Sequence, residues 1–354
     1  MTNYIIRRIL LIPLLLVGVS LLIFSMLQFL SPVARSALYV KDLPKSEEAL
    51  DAIIIAYGLD DPLPLQYWHW LVGRTNPSTG EIVGGVLRGD FGYSHSAKQD
   101  VIVMIKERFP ATLELTLWGF FPIVLIGTWL GIQAAIHYNS FFDQAIRFFC
   151  ITGASLPLFV FGLLVLMVFY TRLGWFPPGR VSQWVTQEIQ GGAFLVRTDM
   201  MTIDALLNGR FDVFLDSLRH MILPIITLSY LNWTTFVRVT RSSMLEELGQ
   251  DYMVTARSKG VRVKDTRWKH AFPNALLPII TLAGGTFIGL LSGVVITETV
   301  FNYPGIGSAA ATAASSLDVI AVLGISLFNG VLLILANLIV DILYAVADPR
   351  IRFA

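Results

Sequence analysis

Cysteine, charge and catalytic signatures are all scarce in this 354-residue chain, and each scarcity closes a class of function. One cysteine, Cys150, leaves no intrachain disulfide and no cysteine-based metal cluster, so in its apolar run it reads as a small core residue. Charged residues make up only 14% of the chain and the formal net charge is +1, which gives no basic excess to drive nucleic-acid binding. His69 and His95 have no ligand-spaced companions, so no metal site is expected. No G-x-x-x-x-G-K-S/T phosphate loop, H-E-x-x-H pair or nucleophile elbow occurs anywhere. The expectation is a chain with no catalytic residue and no cofactor of its own, unable to hydrolyse ATP through a phosphate loop.

What fills the chain instead is apolar. Hydrophobic residues reach 55% and the mean hydropathy is +0.65, in long runs broken by few charges. A soluble core could not hide this much, so an all-α polytopic membrane protein is expected. The first run, 9–30, follows Arg7 and Arg8, is too long for the apolar region of a signal peptide and lacks a small-x-small site before Ser31-Pro32. It reads as an uncleaved first span whose N-terminus is cytoplasmic. Residues 31–110 mix Pro, Gly and aromatics and are expected to form a small extracytoplasmic cap. Its aromatic cluster, including Tyr67, Trp68 and Trp70, is the cap's own core, an interfacial belt or a contact for an external partner. The remaining 111–354 read as a core of five further spans, near 111–136, 144–170, 218–239, 276–300 and 319–346. An amphipathic run at 101–108 leads into the first of these, and Pro157 is expected to kink the next. Between them lie an outside loop at 171–216 and a cytoplasmic loop at 240–272. Six spans place both termini in the cytoplasm, in agreement with Arg350 and Arg352.

The longest strongly charged stretch is 238–278, between two apolar runs. Lys and Arg outnumber acids eight to four over 238–269, which fixes this loop inside. Gly249 breaks the helical pattern, Asp251 can N-cap a new helix, and Gly260 can end it in a left-handed conformation. Tyr252, Thr255, Ala256 and Lys259 share one face of that short helix, and Arg257 and Lys259 fall in its last turn, where the dipole favours cations. Spacing alone leaves two readings open: a socket-fitting helix for another protein, or a basic loop that only holds topology.

Polar and small residues inside the spans are also candidates. Glu114 either lines a pathway or reaches interfacial water. Gly285, Gly289 and Gly293 share a helical face that packs a neighbouring helix or lines a pore. Glu298 follows them, and Asn337 with Asp341 forms either an inter-helix clamp or a pair of pathway groups.

The run Asp251-Tyr252-Met253-Val254-Thr255-Ala256-Arg257-Ser258-Lys259-Gly260, followed by His270, Asn274 and Pro278 at four-residue spacing, closely resembles the coupling loop of ABC importer permeases of the dipeptide/oligopeptide class. Val254-Thr255-Ala256 stands where the generic importer motif begins Glu-Ala-Ala, a departure usual in the peptide branch. The resemblance extends to Gly-Leu-Asp-x-Pro from Gly58, Gly-Asp-x-Gly-x-Ser from Gly89, Glu107 to Glu114, the Trp175-Phe176-Pro177 turn, Glu298 to Gly307, and Tyr344 with Asp348-Pro349-Arg350. Ser31-Pro32-Val33 departs from the usual Pro-Gly-Asp-Pro as a local variation. The resemblance implies the six-helix fold of a type I ABC importer permease, pairing with a second, homologous permease in the prokaryotic cytoplasmic membrane. It further implies two cytoplasmic ATPases that carry ATP and magnesium and engage Asp251, Tyr252, Thr255, Ala256, Arg257, Lys259 and Gly260. An external binding protein would deliver peptides, with nickel chelates or oligosaccharides as alternative cargo.

Two other classes fit the residues less well. A membrane-anchored enzyme or assembly factor needs a converging acid, base or metal set in 31–109 or 171–216, where only scattered acids and lone histidines occur. A proton-driven carrier relying on Glu114, Glu298 and Asp341 leaves the charged helix without a task.

Overall fold

The computed structural model describes residues 2–36, 38–39, 46–77 and 79–347; the Asp348-Pro349-Arg350 ending lies outside them. In chain order the helices are α1 (Thr2–Leu27), α2 (Pro32–Ser36), α3 (Glu47–Tyr57), α4 (Leu63–Val72), α5 (Val101–Ile136), α6 (Phe141–Ser155), α7 (Leu158–Val165), α8 (Gln183–Gln190), α9 (Met201–Leu207) and α10 (Phe211–Leu248). Then come α11 (Asp251–Ser258), α12 (Val263–Asp265), α13 (Phe272–Leu291), α14 (Val295–Val300), α15 (Ile306–Ser315) and α16 (Val319–Ala347). Two small antiparallel hairpins, Arg74–Thr75 with Ile82–Val83 and Tyr93–Ser94 with Gln99–Asp100, are the strands among the described residues. The chain is an all-α polytopic membrane protein.

Among the described residues, four stretches are long and apolar enough to cross a membrane: Arg7–Leu27, Val101–Ile136, Val263–Leu291 and Val319–Tyr344. The pair Phe141–Ser155 and Leu158–Arg172, bent by 104° at Leu156-Pro157, adds a fifth if counted as one span. That bend is far sharper than the kink expected at Pro157. The helix α10 has the length, 38 residues, but Ser229, Asn232, Thr234 and Thr235 dilute its middle. On length and apolarity, four spans, or five with the bent pair counted as one, stand among the described residues where six were expected.

Contacts divide the chain into two compact units, Met1–Phe109 with Gly305–Leu338, and Pro110–Pro304 with Ile339–Ala354. In the first, Ile23, Leu27, Val101, Ile105, Ile306 and Ile325 share a core. The segment after α1 folds onto that helix: Tyr67 and Ser20 hydroxyls lie 2.7 Å apart, and Arg35 donates to Gln28 and Gln66 at 2.6 and 2.7 Å. The aromatic cluster divides, with Tyr67 and Trp70 edging Phe24 while Trp68 is exposed. Asp318 caps α16 by accepting from Ala321 N–H at 3.1 Å and also accepts from Ser94 and Ser96 of the second hairpin at 2.8 to 2.9 Å.

The second unit is built around α10, which packs on α6, α7, α9 and α13. Its approach to α5 is set by glycine. A Cβ at Gly127 would lie 2.6 Å from Phe236 Cβ, and one at Gly131 would lie 2.5 Å from Thr240 Cβ. This G-x-x-x-G pair lets two helices meet closely in lipid, and it was not singled out from the sequence. The loop expected at 171–216 is a folded subdomain, in which α8 and α9 close over Val185, Phe194, Met201 and Ala205. Asp216 ties it to α10 by accepting from Ser182 N–H at 2.7 Å and its hydroxyl at 2.6 Å. The span expected to run to about 300 stops at Leu291, because Gly293 takes φ +96° and turns the chain into α14.

The glycine pair makes a testable distinction. Gly131→Leu overpacks the α5–α10 contact and is expected to cost about 1–3 kcal/mol, lowering the melting temperature of the detergent-solubilised chain. Gly289→Leu, where a side chain would meet nothing within 4 Å in this chain, is expected to leave it unchanged.

Candidate functional site

The charged segment folds as a short helix between two defined stops. The last turn of α10 ends at Gly249, and Gln250 takes the extended N-cap conformation without a side-chain cap. Asp251 is thus the first helical residue rather than the expected N-cap, placing its carboxylate where the dipole favours it. At the other end Gly260 has φ +78°, its N–H bonds the Arg257 carbonyl at 3.0 Å, and Val261 N–H bonds the Ala256 carbonyl at 3.2 Å. These two bonds form a Schellman motif, which satisfies carbonyls an eight-residue helix would otherwise leave open.

One side chain roots α11 in the protein. Met253 is fully buried, 0% exposed, among Ile132 and Ala135 of α5, Met244 of α10, and Ala271 and Ala275 at the start of α13. Beside it, the Tyr252 hydroxyl donates to Glu247 Oε2 at 2.5 Å and accepts from Asn274 Nδ2 at 3.3 Å, bridging the elements before and after α11. Burial and the Glu247 carboxylate push the Tyr252 phenol above its ordinary pKa. The rest of the helix is a surface: Asp251, Tyr252, Val254, Thr255, Arg257, Lys259 and Gly260 are exposed and Ala256 is half-buried. Sequence reading named those surface residues, quoted Met253 and Asn274 only as part of the family motif without an anchoring role, and did not single out Glu247. Met253 and Val254 are adjacent apolar residues, and nothing in so short a run tells which one turns inward.

The pathway and packing candidates lie elsewhere and do not converge on this helix. Glu114, 0% exposed, accepts from Thr202 N–H and hydroxyl at 2.6 and 2.7 Å, Arg180 at 3.0 Å and the Tyr303 hydroxyl at 3.3 Å. Arg180 also donates to the Asp199 carbonyl. Burial opposes the Arg180 charge, yet Glu114 and Tyr303 outweigh it and hold the guanidinium above its usual pKa, while burial and the Glu114 charge push the Tyr303 phenol up. Glu298, also fully buried, accepts from the Thr112 hydroxyl at 2.8 Å. Gly285 and Gly289 face open space within the chain, while the neighbouring Gly284 is the one pressed against Tyr344 and Val340 of α16. Gly293 lies beyond the helix end. Asn337 is exposed and donates to the Leu333 carbonyl of its own helix at 2.8 Å; Asp341 is half-buried one turn further. Among the described residues no group of three or more His, Cys, Asp or Glu is placed to hold a metal ion.

The anchoring argument is testable by proteolysis. Met253→Ala empties the socket, a change worth about 2–5 kcal/mol in a packed core. It is expected to speed tryptic cleavage after Arg257 and Lys259 while sites outside this segment cleave at the parental rate.

Comparison with known proteins matches residues 124–353 to the family described as "Binding-protein-dependent transport system inner membrane component" and residues 1–116 to the N-terminal region of such membrane components. The chain is 37% identical over 310 residues, 86% of each chain, to the Probable D,D-dipeptide transport system permease protein DdpB of Escherichia coli strain K12. It is 36% identical over 357 residues, 99% of each chain, to the Di/tripeptide transport system permease protein DppB of Pseudomonas aeruginosa strain UCBPP-PA14. To the Oligopeptide transport system permease protein AppB of Bacillus subtilis strain 168 it is 34% identical over 354 residues, the whole of both chains. With a family model matching residues 124–353 and relatives aligned along most or all of the chain, the chain belongs to the family of binding-protein-dependent transport system inner membrane components.

Proposed function

We propose that this chain is one membrane subunit of an ATP-driven peptide importer, forming half of a translocation pathway with a second, homologous permease. The observation that carries the reading is α11: a rigidly capped helix, rooted by one buried methionine, that offers an exposed mixed surface to water. A helix held only to fix topology needs neither a Schellman end nor a socket. Two cytoplasmic ATPase subunits, which bring the ATP and magnesium, dock on Asp251, Tyr252, Thr255, Ala256, Arg257, Lys259 and Gly260. Nucleotide-driven closure of the motors displaces α11 and rocks the bundle between inward-open and outward-open states. The chain itself is non-catalytic and binds no cofactor.

The orientation follows from charge: the basic excess of 238–269 and Arg7 with Arg8 place α11 and the N-terminus in the cytoplasm. The helix α10 serves as the sixth span, so both termini share that side of a prokaryotic cytoplasmic membrane. The segment after α1 and the α8–α9 subdomain are then outside, where a binding protein delivers cargo. Peptides are the cargo favoured by the names of the relatives, over nickel chelates or oligosaccharides. A proton-driven carrier relying on Glu114, Glu298 and Asp341 is disfavoured because it leaves the exposed surface of α11 without a task.

The test is purification of the intact assembly from its native membrane in mild detergent, followed by peptide uptake in cells carrying Ala256→Trp. A second permease and two nucleotide-binding subunits are expected to co-purify with ATPase activity, and the variant is expected to lower uptake roughly tenfold or more. A chain that purifies alone without ATPase activity, or unchanged uptake in the variant, overturns the reading.

A further inference from the structure

At the α11 end of the bundle, the most completely buried ion pair is outside the helix already described. Asp143, in the first turn of α6, is 0% exposed and takes Arg241 of α10 in a two-pronged grip, Nε to Oδ1 and Nη2 to Oδ2, both at 2.8 Å. The same carboxylate accepts from Asn139 N–H at 3.1 Å, and Asp143 N–H bonds the Ser140 hydroxyl that caps α6 at 3.2 Å. Arg147 approaches to 3.6 Å, and the Arg241 guanidinium lies 5.3 Å from the centre of the Tyr138 ring. The turn between α5 and α6 is thus fastened to α10 less than one turn ahead of Met244, which packs against Met253 of α11.

Other contacts also hold α6 on α10. A Cβ at Gly153 would lie 3.0 Å from the Tyr230 ring, so glycine admits that close contact; Tyr230 donates to the Phe149 carbonyl at 3.1 Å, and Thr234 donates to the Cys150 carbonyl at 2.8 Å. Ile146, Cys150 and Val237 add an apolar seam. A buried charge pair costs its desolvation and is often replaceable by neutral groups without loss of stability. What a bidentate guanidinium–carboxylate contact adds is direction, since a planar fork resists both sliding and rotation. The far end of α6 leads through the 104° bend into α7, so a displacement delivered to α6 is passed to a second helix at a large angle.

We propose that Arg241 and Asp143 are positioning residues that transmit the displacement of α11 to the bent helix pair α6–α7, a role that rests on the importer function proposed above. The pair acts through geometry and touches no cargo. Its removal as a pair should therefore leave a folded, assembled complex that hydrolyses ATP but moves less peptide per ATP.

The test uses the complete complex in proteoliposomes with its binding protein and a radiolabelled peptide that the parental complex transports, reading peptide moved per ATP hydrolysed. Asp143→Asn combined with Arg241→Gln removes both charges together, so neither is stranded. The double variant is expected to assemble and hydrolyse ATP as the parent does, with peptide per ATP lowered about threefold or more. Arg241→Lys keeps the charge but loses the fork, and is expected to fall on the same side. A double variant whose ratio stays within about threefold of the parent, or one that no longer assembles, assigns the pair to folding and overturns the proposal. Failure of the importer reading is separately visible, as absent ATPase or uptake in the unmodified complex.

Discussion

A carboxylate buried in an apolar bundle has to be satisfied where it sits, because no water is at hand to do it, and this constraint fixes the junctions of the molecule. Glu114, Asp143, Asp216, Glu298 and Asp318 are all buried. None serves the interior of a single regular helix. Glu114 gathers Arg180, Thr202 and Tyr303 from three separate segments, Asp216 holds the start of α8, Asp143 holds the turn before α6, and Asp318 joins α16 to a hairpin. Each ties together elements that must keep a fixed relation.

The helix α10 is the member most of these ties share within its unit. Near one end Asp216 binds the α8–α9 subdomain; near the other Arg241 binds Asp143; between them Gly127 and Gly131 bring α5 against Phe236 and Thr240. A 38-residue helix spans about 57 Å at 1.5 Å per residue, so it connects the subdomain to α11 without a break. The same length explains its composition. A helix that is wrapped by α5, α6, α7, α9 and α13 faces protein over much of its surface, and polar residues such as Thr234 and Tyr230 find partners there that lipid could not offer.

The architecture was legible in the sequence to the extent that it rests on local signals. Apolar run length located most of the spans, and Gly249 with Gly260 bounded α11 to within a residue. The errors share one cause, namely contact between distant residues. The loop at 171–216 gained helices and a core because Phe194 and Met201 meet Val185, which no local pattern announces. The glycine that packs α13 against α16 is Gly284, whereas the regular spacing pointed to its neighbours. Pro157 signals a deviation but not its size; 104° requires both Leu156 and Pro157 to be extended, and only the surrounding helices set that. At the site, the exposed residues of α11 were readable from charge and spacing, whereas Met253, Glu247 and Asn274 are defined by what they touch.

Those hidden contacts matter more for mechanism than the exposed ones. Eight residues are too few to form a stable helix alone in water, so α11 is helical because its C-terminal end is satisfied and its one buried side chain is held. The socket of Met253 is made jointly by α5, α10 and the start of α13, and Tyr252 links Glu247 to Asn274 across the same elements. A load applied on the exposed face leaves through Met253, through the Tyr252 hydrogen bonds or through the chain ends. Met253, the Tyr252–Glu247 bond and the N-terminal chain end all reach α10, the helix whose approach to α5 leaves no slack, because a Cβ at Gly131 would already overlap Thr240. A surface built for recognition alone would tolerate a loose root; this one is backed by close packing from the first buried atom inward.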